Sequence, residues 1–187
     1  ARRKTILDAA RPLFLKNGFA ATTMPQIAAA AELAPGTLYL YYPSKIAIYA
    51  ELLHEGYDVL IGRLQEAVKG KAAARAQATA LVEAFLDFAK ESPEYFDTLF
   101  FLLQREGRWA AQALAPEQLA ALHQREDVCK ALAASILHHL PTERRAATVE
   151  AVWTMLAGLA FFMRTDPSFS TVGKEAKRVL IAGLFTE

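Results

Sequence analysis

Residues 35–45 read Pro-Gly-Thr-Leu-Tyr-Leu-Tyr-Tyr-Pro-Ser-Lys, and their order suits contact with a polyanion. On a helix advancing 100° per residue, Leu38 and Tyr42 point the same way. Gly36, Thr37, Tyr39, Leu40 and Tyr41 are then left outward or flanking. Two tyrosines and a leucine make a poor face for plain water but a good one for duplex DNA. Threonine and tyrosine hydroxyls hydrogen-bond phosphate oxygens, Leu40 can touch a thymine methyl, and Gly36 lets the backbone come close. Lys45 would add a cation beside the free N–H groups at the start of the next helix, and Thr23 stands at a similar helix start.

Other reactive side chains point to less. His138 and His139 are adjacent, so on a helix their rings diverge by about 100°, whereas a chelating pair needs i, i+4 spacing; no metal site is expected. Cys129 is the single cysteine and makes no internal disulfide. No nucleophile–base–orienter set, phosphate-binding loop or dinucleotide fingerprint stands in the chain, so neither an enzyme nor a cofactor is expected.

These residues need elements to hold them, and the spacing predicts helices throughout. Ile6, Ala10, Leu13 and Phe14 share a face over residues 3–17, closed by Asn17-Gly18. Thr22-Thr23 offers hydroxyl caps for a short helix over 24–31, in which Pro25 is tolerable because it lies in the first turn. Pro35 opens a third helix and Pro43 bars its continuation, so two short helices flank the turn Glu32-Leu33-Ala34. Ser44 caps a fourth helix reaching about Lys69. Further stripes cover about 72–90, 93–106, 116–139, 142–164 and 171–185, separated at Ser92-Pro93, Ala115-Pro116, Leu140-Pro141 and Asp166-Pro167. The expected fold is all-α, with about nine helices, and the small core is assigned to Phe14, Ile27, Leu38 and Tyr42.

Residues 14–45, FLKNGFAATTMPQIAAAAELAPGTLYLYYPSK, resemble the DNA-binding signature of the TetR family of transcriptional regulators. The residues in register are Phe14, Gly18, Phe19, Thr22, Thr23, Ile27, Ala28, Gly36, Thr37, Leu38, Tyr39, Tyr41, Tyr42, Ser44 and Lys45. The resemblance implies a helix-turn-helix DNA-binding domain over 1–45, with Thr23, Gly36, Thr37, Tyr39, Leu40, Tyr41 and Lys45 on the DNA. A helical effector-binding and dimerisation domain would follow over 46–187. Two departures stand out. Glu32-Leu33-Ala34 replaces the usual Gly-Val-Ser, removing the turn's glycine and the hydroxyl cap of the third helix. Tyr42 replaces the usual Phe, bringing a hydroxyl that needs a partner near the core.

In the larger domain, Phe85 and Phe88, then Phe96, Phe100 and Leu103, then Leu122 and Glu126 fall on inward stripes. Such stripes are also what an ordinary bundle core requires. The resemblance implies an apolar ligand pocket there, with Glu126 orienting a ligand or pairing with Arg105 or Arg108. Val149, Val152, Trp153, Leu156, Ala160 and Met163 form one long stripe near the C-terminus, and Val179, Leu180, Gly183 and Leu184 another. The resemblance makes these the homodimer surface, with Ala157, Gly158 and Gly183 permitting close helix approach.

Charge is distributed unevenly. The chain carries +1 overall, yet residues 1–45 hold six basic and two acidic side chains and the remainder is net −3. The basic head suits a polyanion. No uncharged apolar run reaches the ~18 residues of a membrane span, so no membrane partner is expected and the expected location is the cytoplasm. The expected function is a dimeric repressor released from a palindromic operator by a small apolar effector whose identity the sequence does not give. The alternatives are a TetR-type activator, and a helical enzyme or carrier with a purely structural basic head.

Overall fold

A computed structural model describes residues 1–102, 114–165 and 169–185. Nine α-helices occur among them: α1 Arg2–Asn17, α2 Met24–Ala30, α3 Pro35–Tyr41, α4 Lys45–Val68, α5 Ala74–Glu91, α6 Pro93–Asp97, α7 Pro116–Ile136, α8 Thr142–Thr165 and α9 Phe169–Gly183. A π-helical turn, Thr98–Leu102, continues α6. The all-α expectation holds, with each described helix within a few residues of its expected bounds, apart from the segment expected over 93–106. That segment splits at residue 97 into α6 and the wider π turn. The Thr98 side chain is buried, and its hydroxyl donates to the Glu94 carbonyl at 2.7 Å.

Two compact units emerge. The first combines Ala1–Asp58 with Glu94–Gln124, and the second combines Val59–Pro93 with Arg125–Glu187. The division falls within α4, so compactness groups the residues differently from a split of roles at 45/46.

The first unit is built on an aromatic nucleus. Ile6, Phe14, Ile27, Leu38 and Tyr49 are fully buried, and Tyr42 is 2% exposed. Phe14 stacks on Phe19 at 5.5 Å and meets Tyr49 edge-on at 5.6 Å, so α4 closes the core that α1 begins. Truncating a buried phenylalanine of this kind costs about 3–5 kcal/mol. Helix α1 runs through Pro12, which forfeits the hydrogen bond to the Asp8 carbonyl. The helix persists because its buried face, Ile6, Leu7, Ala10 and Phe14, is held by tertiary packing.

Arg11 departs from its expected place in the basic head. It is 7% exposed and ion-paired with Glu55 at 2.5 Å, with Asp8 and Glu94 at 3.6 and 3.7 Å, and its guanidinium lies 4.4 Å from the Tyr95 ring centre. Its charge is neutralised inside the unit. Arg3 pairs with Glu51 at 2.8 Å, which further reduces the positive charge the head presents.

In the second unit α5 packs on α8, and α9 packs on both. Helix α9 comes close to α8 at Gly173, where a β-carbon would stand 2.7 Å from the Met163 sulfur. Gly158 and Gly183, expected to allow close helix approach across a dimer interface, face open space within the chain.

Candidate functional site

The turn between α2 and α3 keeps its geometry despite lacking glycine. Glu32 adopts φ 54°, the left-handed conformation that glycine adopts without strain. Leu33 N–H donates to the Ala28 carbonyl at 2.9 Å and Glu32 N–H to the Ala29 carbonyl at 3.1 Å, the paired bonds of a Schellman helix end. Holding a non-glycine residue there costs about 1–2 kcal/mol. Helix α3 begins without a side-chain cap at Ala34, whose carbonyl accepts from Thr37 N–H at 2.9 Å.

Helix α2 is capped as expected by Thr23, and more completely. Gln26 N–H donates to the Thr23 hydroxyl, and Thr23 N–H donates to Gln26 Oε1 at 2.8 Å, closing a capping box. Thr22 is no cap. It is buried, and its hydroxyl donates to the Gly18 carbonyl at 2.7 Å.

Helix α3 buries Leu38 and presents the opposite face. Tyr39 is 52% and Leu40 84% exposed, Gly36 and Thr23 are exposed, and Thr37 and Tyr41 are half-buried. A β-carbon at Gly36 would meet nothing within 4 Å, so the fold itself does not require glycine there. The glycine costs about 1 kcal/mol relative to alanine in a helix, which makes sense if an external surface must come close.

Lys45, expected to meet a phosphate, is engaged within the head itself. Its ammonium donates to the carbonyls of Phe19, Ala20 and Thr22 at 2.5, 3.1 and 2.6 Å and sits 4.4 Å from the Phe19 ring centre. An ammonium has three protons, and three carbonyls take them. Lys45 therefore ties the first turn of α4 to the α1–α2 connection. Ser44 caps α4 as expected, its hydroxyl accepting from Ala47 N–H at 3.3 Å. The Tyr42 hydroxyl is buried without a well-formed hydrogen bond, and burial, then the neighbouring Glu51 carboxylate, pushes its pKa up.

A separate apolar cleft lies in the second unit, enclosing about 570 Å³ of interatomic space, its mouth included. Leu64, Leu81 and Phe85 come from α4 and α5, Cys129 and Ile136 from α7, and Val149, Val152, Trp153 and Leu156 from α8. Leu184, just past α9, completes the wall. Of the expected ligand residues only Phe85 lines this cleft. Phe88 is fully buried core, and Phe96 packs on Phe100 at 4.8 Å within the first unit, where Leu122 is buried too. Glu126 pairs with Lys130 at 2.7 Å, because i, i+4 spacing brings the ammonium to it. Leu103, Arg105 and Arg108 lie outside the described residues. The cleft was missed because its wall combines half-stripes of four helices, none of which reads as a pocket alone.

The stripes expected to form a dimer surface largely face inward. Val149, Leu156, Ala160 and Leu184 are buried within the chain, Val152 and Trp153 line the cleft, and Met163 packs on Gly173. Val179 is 56% exposed, Gly183 is exposed and Leu180 half-buried. The most regular apolar stripe of α8 faces its own core. A second apolar face, Met155, Gly158 and Phe162, is turned outward, with Val172 and Val179 exposed on α9. A helix apolar on both sides is the signal that locates this face.

The model of the bacterial regulatory proteins of the tetR family matches residues 6–52, which contain every residue of the α2–α3 arrangement. The transcriptional activator FasR of Mycolicibacterium smegmatis is 30% identical over 99 residues, 53% of this chain and 45% of that protein. The transcriptional repressor KstR2 of Rhodococcus jostii is 40% identical over 81 residues, 43% of this chain and 40% of that protein. The aligned region thus spans less than half the length of these relatives. The transcriptional regulator FadR of Bacillus subtilis, solved in complex with stearoyl-CoA, shares the fold with a TM-score of 0.77 at 18% identity, over 96% of this chain and 98% of that one. Residues 6–52 thus carry the DNA-binding region that marks bacterial regulatory proteins of the tetR family, and the chain as a whole shares the fold of a solved transcriptional regulator.

Proposed function

We propose that the protein is a DNA-binding transcriptional regulator that reads duplex DNA through α3 as a homodimer, and that a small apolar molecule in the second unit's cleft alters its DNA affinity. The observation that carries this reading is the outward face of α3, where Gly36, Tyr39 and Leu40 are exposed although nothing in the fold requires them there. Thr23, Thr37 and Tyr41 flank that face and supply hydroxyls for phosphates, and Lys45 acts behind it by fixing the α1–α2 connection. The outward face of α8 and α9 supports dimerisation, since exposed apolar helix faces are self-complementary and bury well against their like across a two-fold axis.

Direction of control is a further choice. The repressor reading is supported by KstR2 and the activator alternative by FasR. Both relatives are regulators, which favours regulation over the enzyme or carrier alternative. The workplace of such a protein is the cytoplasm.

Gly36→Ala separates DNA contact from folding. The variant should melt at or above the wild-type temperature while losing at least tenfold in affinity for DNA fragments selected by the wild-type protein. Unchanged affinity would remove α3 from the interface. Phe162→Glu should convert the dimer to monomer in sedimentation, and a wild-type monomer at micromolar concentration would sink the dimer reading.

A further inference from the structure

The cleft's wall says what kind of molecule belongs there. Its side chains are hydrocarbon apart from the Cys129 thiol and the Trp153 indole. Several charged groups on the helices around it are engaged with one another: Glu83 with Lys177 at 2.7 Å, Glu126 and Glu150 with Lys130, and Arg63 with Glu91 at 2.8 Å. Buried without a partner, an ionised group inside would lose its hydration and gain nothing. Trp153 and Phe85 meet edge to face at 5.4 Å, offering flat surface to a ring or a short chain.

One lip is fixed. His139 Nε2 is hydrogen-bonded to the Leu184 carbonyl at 3.1 Å and its ring stacks on Phe185 at 5.3 Å, holding Leu184 in the wall. Arg75 lies 5.5 Å from the Phe185 ring centre, but it is exposed, and a carboxylate reaching it would remain in water.

We infer that the cleft takes a compact, neutral, hydrocarbon-like molecule with no ionised head group. This deepens the proposed effector site and rests on it for its regulatory meaning, whereas the binding chemistry is independent of DNA. The matched probes are n-butylbenzene and 4-butylbenzoate at pH 7.5, with octanoyl-CoA as an acyl thioester bearing a charged carrier. Trp109→Phe leaves Trp153 as the single tryptophan, so its fluorescence reports the cleft, and thermal shift of the unmodified chain gives a second readout. Butylbenzene should bind saturably, 4-butylbenzoate and octanoyl-CoA at least tenfold more weakly. Ala133→Phe, which fills the cleft, should abolish butylbenzene binding; if that variant does not fold, Val152→Phe serves the same purpose. Equal or tighter binding of 4-butylbenzoate, weakened by Arg75→Ala, would overturn the inference by placing a head group at the lip. No binding of butylbenzene in either readout would overturn it as well. Butylbenzene binding that leaves DNA affinity unchanged would uphold the ligand class and defeat the effector reading.

Discussion

Replacing Lys45 with methionine keeps the aliphatic stem and removes only the ammonium. Three charge-assisted hydrogen bonds, to the carbonyls of Phe19, Ala20 and Thr22, disappear with it, as does the cation over the Phe19 ring. Each such bond contributes about 1.5–3 kcal/mol when well buried. Lys45 is half-buried, so water replaces part of what is lost, and the three bonds are not additive. A net loss of about 2–3 kcal/mol follows. For a chain of this length that lowers Tm by about 4–12 °C. Circular dichroism melts would measure it, alongside anisotropy titrations of a DNA fragment at several salt concentrations. Lys45→Met should melt early, bind DNA more weakly in proportion to its lost order, and keep the wild-type salt slope. An unchanged melt with a slope reduced by about 0.9, the signature of one lost phosphate contact, would refute the capping role and restore Lys45 to the DNA surface.

Glu32→Gly should stabilise the chain by about 1 kcal/mol in urea unfolding, because glycine adopts the left-handed turn without a β-carbon penalty; a destabilised variant would show that the Glu32 side chain contributes something the turn geometry does not reveal. The Cys129 thiol, pushed up to about 12 by burial and then by the Glu126 carboxylate, should resist iodoacetamide at pH 8 in the native chain and react readily in urea. The unfolded thiol ionises near its ordinary value of 9, so the neutral-thiol contribution to stability is lost as pH rises from about 9 to about 12. Native-state alkylation at the rate of a free thiol would contradict the burial.

Local chemistry made the head legible in the sequence. Pro35, Pro43, Thr23 and the Leu38–Tyr42 spacing each act within one turn of helix, and they define α2 and α3 nearly to the residue. What one turn cannot show is where a long side chain reaches. Arg11 and Lys45 look like free cations in sequence, and only the tertiary fold brings Glu55 to the first and three carbonyls to the second. The same limit governs α8. Its apolar residues occupy two faces, and periodicity identifies the stronger stripe, through Val149, Leu156 and Ala160, without telling core from contact surface. The exposed Met155 and Phe162 are what remains after the core has taken that stripe. The cleft was out of reach for a related reason, since no sequence window contains Leu64, Phe85, Cys129 and Trp153 together.

The Lys45 tether also bears on how hybrid regulators could be assembled from this chain. A fusion joint at residue 45 would detach the helix that supplies Lys45, Ile48, Tyr49 and Leu52, and so leave Phe14 and Phe19 without the ring they pack against. A reading head transplanted that way would arrive with an open core. The transferable module must carry α4 at least through Asp58, with Glu55 retained as counter-ion for Arg11. The part that recognises DNA is therefore longer than the part that touches it.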